Sequence, residues 1–245
     1  MSTPTRRVAP TEEFVGLPVA GRRYVTNRTV RLGDAGLDGS LRLDALARFL
    51  QDVAADDAAE VGLRAATWVV RRTAIVVAGR PTFGERIELT TFCGGLGRRW
   101  AERRTTVVGP ASRIEASSLW VYLDEATGQP APLPAIFLEA FAEASGGRTA
   151  SSRLTLPGPP ADGSCTGEPW PVRSTDFDVL GHVNNAVYWA IVEDDPLLHG
   201  RLDLEYRLPI EPGADVEFLR DSAGGMRWLV SSAGVHAAAR IVPDI

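Results

Sequence analysis

Residues 172–194, VRSTDFDVLGHVNNAVYWAIVED, decide the fold once they are set against residues 30–52, VRLGDAGLDGSLRLDALARFLQD. At a constant offset of 142, Val30-Arg31 falls on Val172-Arg173, Asp34 on Asp176, Gly39 on Gly181, and Leu50-Gln51-Asp52 on Val192-Glu193-Asp194. No gap is needed. The order of elements around the two stretches repeats as well, and agreement at several levels at once is what a duplicated unit leaves behind.

Outward from the first stretch, residues 28–33 read as a strand leading into a turn and residues 41–61 as one amphipathic helix. Leu43, Leu46, Leu50, Val53 and Val61 fall near helical spacing, Asp52, Asp56, Asp57 and Glu60 are assigned to the wet side, and Gly62 is the stop. Four runs rich in β-branched and aromatic residues follow at 67–77, 85–93, 98–108 and 112–124, punctuated by Gly and Pro as turns between antiparallel strands are. Around the second stretch, residues 172–176 read as extended and 184–198 as helical. Strands are expected at 201–208, 214–220, 225–232 and 235–242. A Gly-, Ser- and Pro-rich stretch lies between, so the expected organisation is one domain over 1–146, a linker over 147–170 and a second domain over 171–245. The class is α+β.

Composition narrows the function. The 245 residues are enough for a sizeable core, with 44% hydrophobic and 23% charged residues in ordinary globular balance. A net charge of -5 offers no bulk attraction to phosphate backbones, so nucleic acid is not an expected partner. All 26 basic residues are arginine, which excludes a lysine Schiff base and the lysine of a phosphate-binding loop. The two cysteines, Cys93 and Cys165, lack metal-ligand or disulfide-framework spacing. No metal and no organic cofactor are expected. No apolar run has membrane-spanning or signal-peptide length, so membrane insertion is not expected and a cytoplasmic protein is the default.

The second stretch carries the chemistry. It contains Asp176-Phe177-Asp178-Val179-Leu180-Gly181-His182-Val183-Asn184-Asn185-Ala186-Val187-Tyr188, with Glu193 five residues on. This string resembles the signature of hotdog-fold thioesterases. The tandem arrangement, with LQDVAADDAAEVG at 50–62, TWVVRR at 67–72, RPTFGERIELTTF at 80–92 and SSLWVYLDEATGQP at 117–130, is similar to the acyl-acyl-carrier-protein thioesterases in particular. The resemblance covers roughly residues 22–245. It implies two tandem hotdog domains, each a long central helix wrapped by an antiparallel sheet, and hydrolysis of the thioester between a fatty acyl chain and acyl carrier protein or coenzyme A. It further implies catalytic positions at Asp178 and His182 and an acyl pocket shaped by the first domain. Related plant enzymes carry an asparagine two residues after the aspartate and a Glu-Cys pair after a Tyr-Arg-Arg run. Leu180 and Pro209-Ile210 stand there in this chain.

The residues give the same chemistry a physical basis. Hydrolysis needs an activated water, a place for charge on the carbonyl oxygen, and exclusion of bulk water from a greasy chain. Asp178 can take a proton from water or attack the carbonyl itself, and these alternatives stay open. His182 can orient water, bond the carboxylate or donate to the leaving thiolate. Asn184 or Asn185 can hold acceptor geometry without a charge change, Asn184 being also a candidate helix cap. Gly181 admits close backbone approach, and free N–H groups from His182 to Asn185 can receive the carbonyl oxygen. Val183, Tyr188, Glu193 and Trp68 are candidate substrate contacts, and Leu46, Leu50 and Val70 further candidate pocket walls. Tyr188 and these walls are equally readable as core, and Glu193 as a cap or solvated carboxylate. The Arg-rich run 98–104 could face an acidic carrier protein or could be a wet strand face.

The first copy has Gly36 in place of Asp178, Ser40 in place of His182 and Arg42-Leu43 in place of the Asn pair. It cannot run the same chemistry. The expected function is therefore an acyl thioesterase with one active half, as a monomer or homodimer. An acyl-binding protein without turnover and a hydratase or dehydratase on the same fold are the alternatives.

Overall fold

The computed structural model describes residues 14–63, 68–193, 200–223 and 225–243. Among these, ten strands form one continuous sheet. The first unit supplies β1 (Arg23–Thr29), β2 (Trp68–Gly79), β3 (Arg86–Leu96), β4 (Trp100–Val108) and β5 (Arg113–Tyr122). The second supplies β6 (Thr166–Trp170), β7 (Gly200–Tyr206), β8 (Val216–Arg220), β9 (Met226–Ser231) and β10 (Gly234–Pro243). Every pairing is antiparallel, and the spatial order is β1-β3-β4-β5-β2-β7-β10-β9-β8-β6. Read from either end, this order gives the same succession of roles. The two units are thus related by an approximate two-fold through the β2–β7 pair, where Thr73 faces Leu204 and Ile75 faces Leu202.

Helix α1 (Leu43–Glu60) lies across the first half of this sheet. Its buried face is Leu43, Leu46, Phe49, Leu50 and Val53, at helical spacing. It stops at Gly62, whose φ of +78° a side-chain-bearing residue adopts only with strain. In the second unit, a 3₁₀ turn at Val187–Trp189 runs into α3 (Ala190–Glu193), and the expected continuation to 198 lies outside the described residues. Leu43, Leu46 and Val53 share one apolar core with Trp189, Val192, Leu202 and Leu204, so the units are fused through their interior rather than merely tethered. A short helix α2 (Ala135–Phe141), not anticipated from sequence, packs Phe137 and Phe141 with Phe92 and Cys93 at the far end of α1.

The strand leading into a turn over 28–33 is present: β1 ends at Thr29, and Leu32–Asp34 form a 3₁₀ turn in which the Asp34 carboxylate accepts the Arg31 N–H. Three expectations change. The counterpart at Ser174–Asp176 turns in the same way, with Asp176 accepting the Arg173 N–H, so 172–176 is not extended throughout. The linker expected over 147–170 is shorter, since 166–170 is the edge strand β6 paired with β8. The rest of it is a strap. Ala150 accepts the Trp100 indole N–H, Arg153 accepts a bond from Arg72, Thr155 and Leu156 donate their N–H groups to Glu205, and Pro157 accepts the Trp228 indole N–H. Side chains from four strands thereby satisfy an irregular backbone. Lastly, Asp57 is 1% exposed rather than on the wet side.

Candidate active site

The two stretches that open the sequence fold into the same loop. In the first unit Arg42 N–H donates to Asp34 O, Gly36 N–H to Ser40 O and Gly39 N–H to Gly36 O. In the second, Asn184 N–H donates to Asp176 O, Asp178 N–H to His182 O and Gly181 N–H to Asp178 O. Each bond maps onto its partner at the offset of 142. Gly39 and Gly181 close the turns at φ of +80° and +77°, which is why glycine recurs there.

The side chains on this shared frame differ. Asp178 is half-buried; one carboxylate oxygen accepts the Leu180 N–H at 2.9 Å and the other accepts the Asn184 side-chain amide at 3.3 Å. Asn184 in turn accepts the Ala186 N–H at 2.9 Å, so it both caps the following turn and holds the carboxylate. The His182 side chain is exposed on the same loop and makes no hydrogen bond among the described residues. Of the N–H groups from His182 to Asn185, those of Val183 and Asn184 are spent on Ile210 O and Asp176 O. Those of His182 and Asn185 have no acceptor among the described residues, which narrows the expected carbonyl-binding donors to two.

The other expected contacts are engaged elsewhere. Val183 and Tyr188 are 4% and 3% exposed and belong to the shared core, where Tyr188 meets Tyr206 edge-on at 5.4 Å between ring centroids. Burial pushes the Tyr188 phenol up to about 12, so it stays protonated, against its hydrogen bond to Ile210 and with the nearby Asp178 charge adding to the rise. Leu46 and Leu50 on α1 and Val70 on β2 are buried in the shared core and do not line the pocket. Trp68 does line a pocket, partly open to solvent, together with Gln51, Ala54, Ala55, Ala58 and Phe137. All of the pocket's lining residues come from the first unit. Of the Arg-rich run, Arg98 and Arg99 are exposed, whereas Arg103 binds Asp57 and Arg104 is 2% exposed, so only the first two can meet a partner at the surface.

Comparison with known proteins places this architecture. The family model for the acyl-ACP thioesterase N-terminal domain matches residues 21–141, and that for the acyl-ACP thioesterase C-terminal domain matches residues 161–236. The chain belongs to the acyl-ACP thioesterase family. Two uncharacterized proteins of Mycobacterium tuberculosis are each 33% identical over 209 residues, covering 82% of this chain and 83% of theirs. A 12:0-ACP thioesterase from Umbellularia californica superposes with a TM-score of 0.73 at 22% identity, covering 91% of this chain and 97% of that one. An acyl-ACP thioesterase from Bacteroides thetaiotaomicron does so at 0.71 and 17% identity, with 90% and 97% covered. The fold is the tandem hotdog, and the protein is a thioester hydrolase.

In this thioesterase Glu193 is not positioned as a substrate contact. Its carboxylate accepts the Leu43 N–H at 2.5 Å and the Arg80 guanidinium at 2.5 Å, closing the start of α1 from the opposite unit. A carboxylate is held there by an open N–H and by a guanidinium that is 12% exposed. Glu193→Ala is expected to cost about 2–3 kcal/mol in denaturant unfolding, because Arg80 and Leu43 lose a charged acceptor, while KM for an acyl thioester changes less than about twofold.

Of the residues that line the thioesterase's pocket, sequence reasoning singled out Trp68 alone, and Gln51, Cys93 and Phe137 show why the others escaped it. Gln51 was noted only as the counterpart of Glu193. Cys93 reaches the pocket because a bulge between Cys93 and Gly95 shifts the β3 register, a feature no periodicity displays. Burial pushes its thiol up to about 11, so at neutral pH it is not a nucleophile. Iodoacetamide near pH 7 should therefore leave Cys93 unlabelled in the folded thioesterase and label it on unfolding, as peptide mass spectrometry would read. Phe137 comes from α2, which carries too few residues to show a pattern. Among the described residues no group of three or more His, Cys, Asp or Glu could hold a metal, and no helix is long and apolar enough to cross a membrane.

Proposed function

We propose that the enzyme releases a free fatty acid from an acyl chain carried on acyl carrier protein, with coenzyme A thioesters as the weaker substrates. Asp178 takes a proton from the attacking water, the water oxygen bonds to the carbonyl carbon, the carbon–sulfur bond breaks, and the sulfur leaves as a thiol carrying that proton. His182, beside it on the loop, orients the water or meets the leaving sulfur. Asn184 holds the carboxylate, and the N–H groups of His182 and Asn185 receive the carbonyl oxygen. Asn185 and Gly181 complete the loop as backbone, and the acyl chain extends along the alanine face of α1 towards Trp68.

One observation carries this reading. The two units share a loop bond for bond, and where the first has Gly36 the second places the half-buried carboxylate of Asp178, held by one backbone N–H and one amide. A group kept at such a site with polar neighbours and two unpaired N–H donors is what an acyl-transfer step uses. A cotton relative named palmitoyl-acyl carrier protein thioesterase, 27% identical over 218 residues, covering 76% of this chain and 52% of that protein, favours the carrier protein as thiol donor.

The test is release of free thiol from matched acyl-carrier-protein and acyl-coenzyme A series of increasing chain length. Turnover with kcat/KM at least about tenfold higher on the carrier protein is expected. Equal values would remove the carrier-protein preference, and saturable binding with no thiol released would leave an acyl-binding protein.

A further inference from the structure

Glu193 and Gln51 are the same position in the two units, 142 residues apart, and the structure shows what the first of them does. It crosses the two-fold and binds the N–H of Leu43. The residue 142 positions after Leu43 is Asn185. By the two-fold that relates the sheet strands and the loops, Gln51 is the residue that corresponds, for the N–H of Asn185, to Glu193 for the N–H of Leu43; that N–H has no acceptor and Gln51 makes no bond to it among the described residues. Electrostatics gives the same neighbourhood: Glu193 acts on Arg42, whose counterpart Asn184 holds Asp178. Gln51 is half-buried, lines the pocket, and makes no hydrogen bond among the described residues. So one of two equivalent positions is filled by a carboxylate locked to Arg80. The other carries a neutral amide in a groove built largely of Ala54, Ala55, Ala58, Trp68 and Phe137, in which Glu102 and Arg103 are the charged lining residues.

We propose that Gln51, contributed by the non-catalytic unit, donates a side-chain N–H to the thioester carbonyl oxygen alongside the Asn185 N–H, and so joins the acyl groove of the first unit to the Asp178 loop of the second. The proposal rests on the thioesterase reading above. Charge decides the choice of residue. A carboxylate at position 51 would take the Asn185 N–H for itself, as Glu193 takes that of Leu43, and would repel the oxygen as it becomes negative. An amide supplies a donor without either penalty.

Gln51→Glu, nearly isosteric, is therefore the informative variant, with Gln51→Ala beside it. Kinetics on dodecanoyl-carrier protein, thermal midpoints, and calorimetric binding of 2-oxotetradecyl-coenzyme A, a ketone that keeps the carbonyl and cannot be hydrolysed, are the readouts. Near pH 8, Gln51→Glu should lose about 100-fold in kcat with KM within about threefold and an unchanged or raised thermal midpoint. Its activity relative to wild type should recover towards about pH 5 as the new carboxyl protonates. Gln51→Ala should lose about tenfold, and the ketone should bind about tenfold more weakly to Gln51→Glu. A Gln51→Glu enzyme with kcat within threefold of wild type would overturn the proposal. So would equal losses in both variants with a lowered midpoint and no recovery at acid pH, which mark a packing role. If wild type releases no thiol at all, the thioesterase reading fails by itself. Ketone binding then decides Gln51 independently: weakened binding in Gln51→Glu supports the contact, and unchanged binding rejects it.

Discussion

Asp178→Asn should lower kcat by about 10²–10⁴-fold, the range a positioned general base supplies, which is roughly 3–5 kcal/mol of transition-state stabilisation. The substitution is close to isosteric. An asparagine side-chain oxygen can still accept the Leu180 N–H, so the loop closed by Gly181 keeps its shape and the thermal midpoint should move by less than about 2 °C. What is lost is the ability to take a proton. Asp34→Asn in the first unit is the matched control: Asp34 accepts the Arg31 N–H in the equivalent loop and lies 3.7 Å from Arg48, yet faces no proposed reaction. It should change stability by no more than about 1 kcal/mol and leave kcat within about twofold. Equal activity losses from the two would mean that the loop matters only as structure.

The second large effect is on stability. Asp57 sits on α1 at 1% exposure, with Arg103 at 2.5 Å on one carboxylate oxygen and Arg22 at 2.6 Å on the other. Arg22 reaches on to Glu60, and both guanidinium groups lie over the Phe141 ring at 5–6 Å. Removing the central carboxylate leaves the Arg103 guanidinium buried without its counter-ion, since that side chain is 11% exposed. Asp57→Ala should therefore cost about 3–5 kcal/mol, measured as a lowered denaturant midpoint with an unchanged slope. The net worth of the cluster is smaller than this cost, because its assembly already carries the desolvation of three charges. Replacing Asp57 and Arg103 together by leucine should recover much of the loss, which a double-mutant cycle would show.

Much of this architecture is legible in the chain before any coordinates. The offset of 142 identifies the duplication, and every matched turn residue in it, Asp34 with Asp176 and Gly39 with Gly181, turns out to make the same backbone bond. These residues read well because their roles are local: a carboxylate two or three residues from the N–H it accepts, and a glycine where φ must be positive. The strands read well for a similar reason, since alternation and turn residues lie within each run. Asp57 was misplaced because spacing puts it beside Asp56, and only the arrival of Arg103 from β4 and Arg22 from the segment before β1 makes burial tolerable. Sequence leaves Glu193 open between a substrate contact and a cap, because the partners that make it a cap, Leu43 and Arg80, lie more than a hundred residues away. The strap after Gly147 has the composition of a linker but is held by Trp100, Glu205 and Trp228 across the outer face. Contacts that close over long separations are set by the packed whole, and no local pattern records them.

The site divides in the same way. Asp178, Asn184 and the turn at Gly181 assemble as the motif suggests, because one short loop contains them all. The groove proposed for the acyl chain does not follow from the motif, since it is built by the other unit from the end of α1, β2, β3, β4, β5 and α2. Joining the two is the central claim, and one measurement tests it directly: a crystal structure of the Asp178→Asn enzyme with an unhydrolysed acyl thioester. The account predicts the carbonyl carbon within about 4 Å of residue 178 and the acyl chain running past Gln51 between Ala55 and Trp68. An acyl chain held in any other part of the molecule, or a carbonyl far from residue 178, would contradict it.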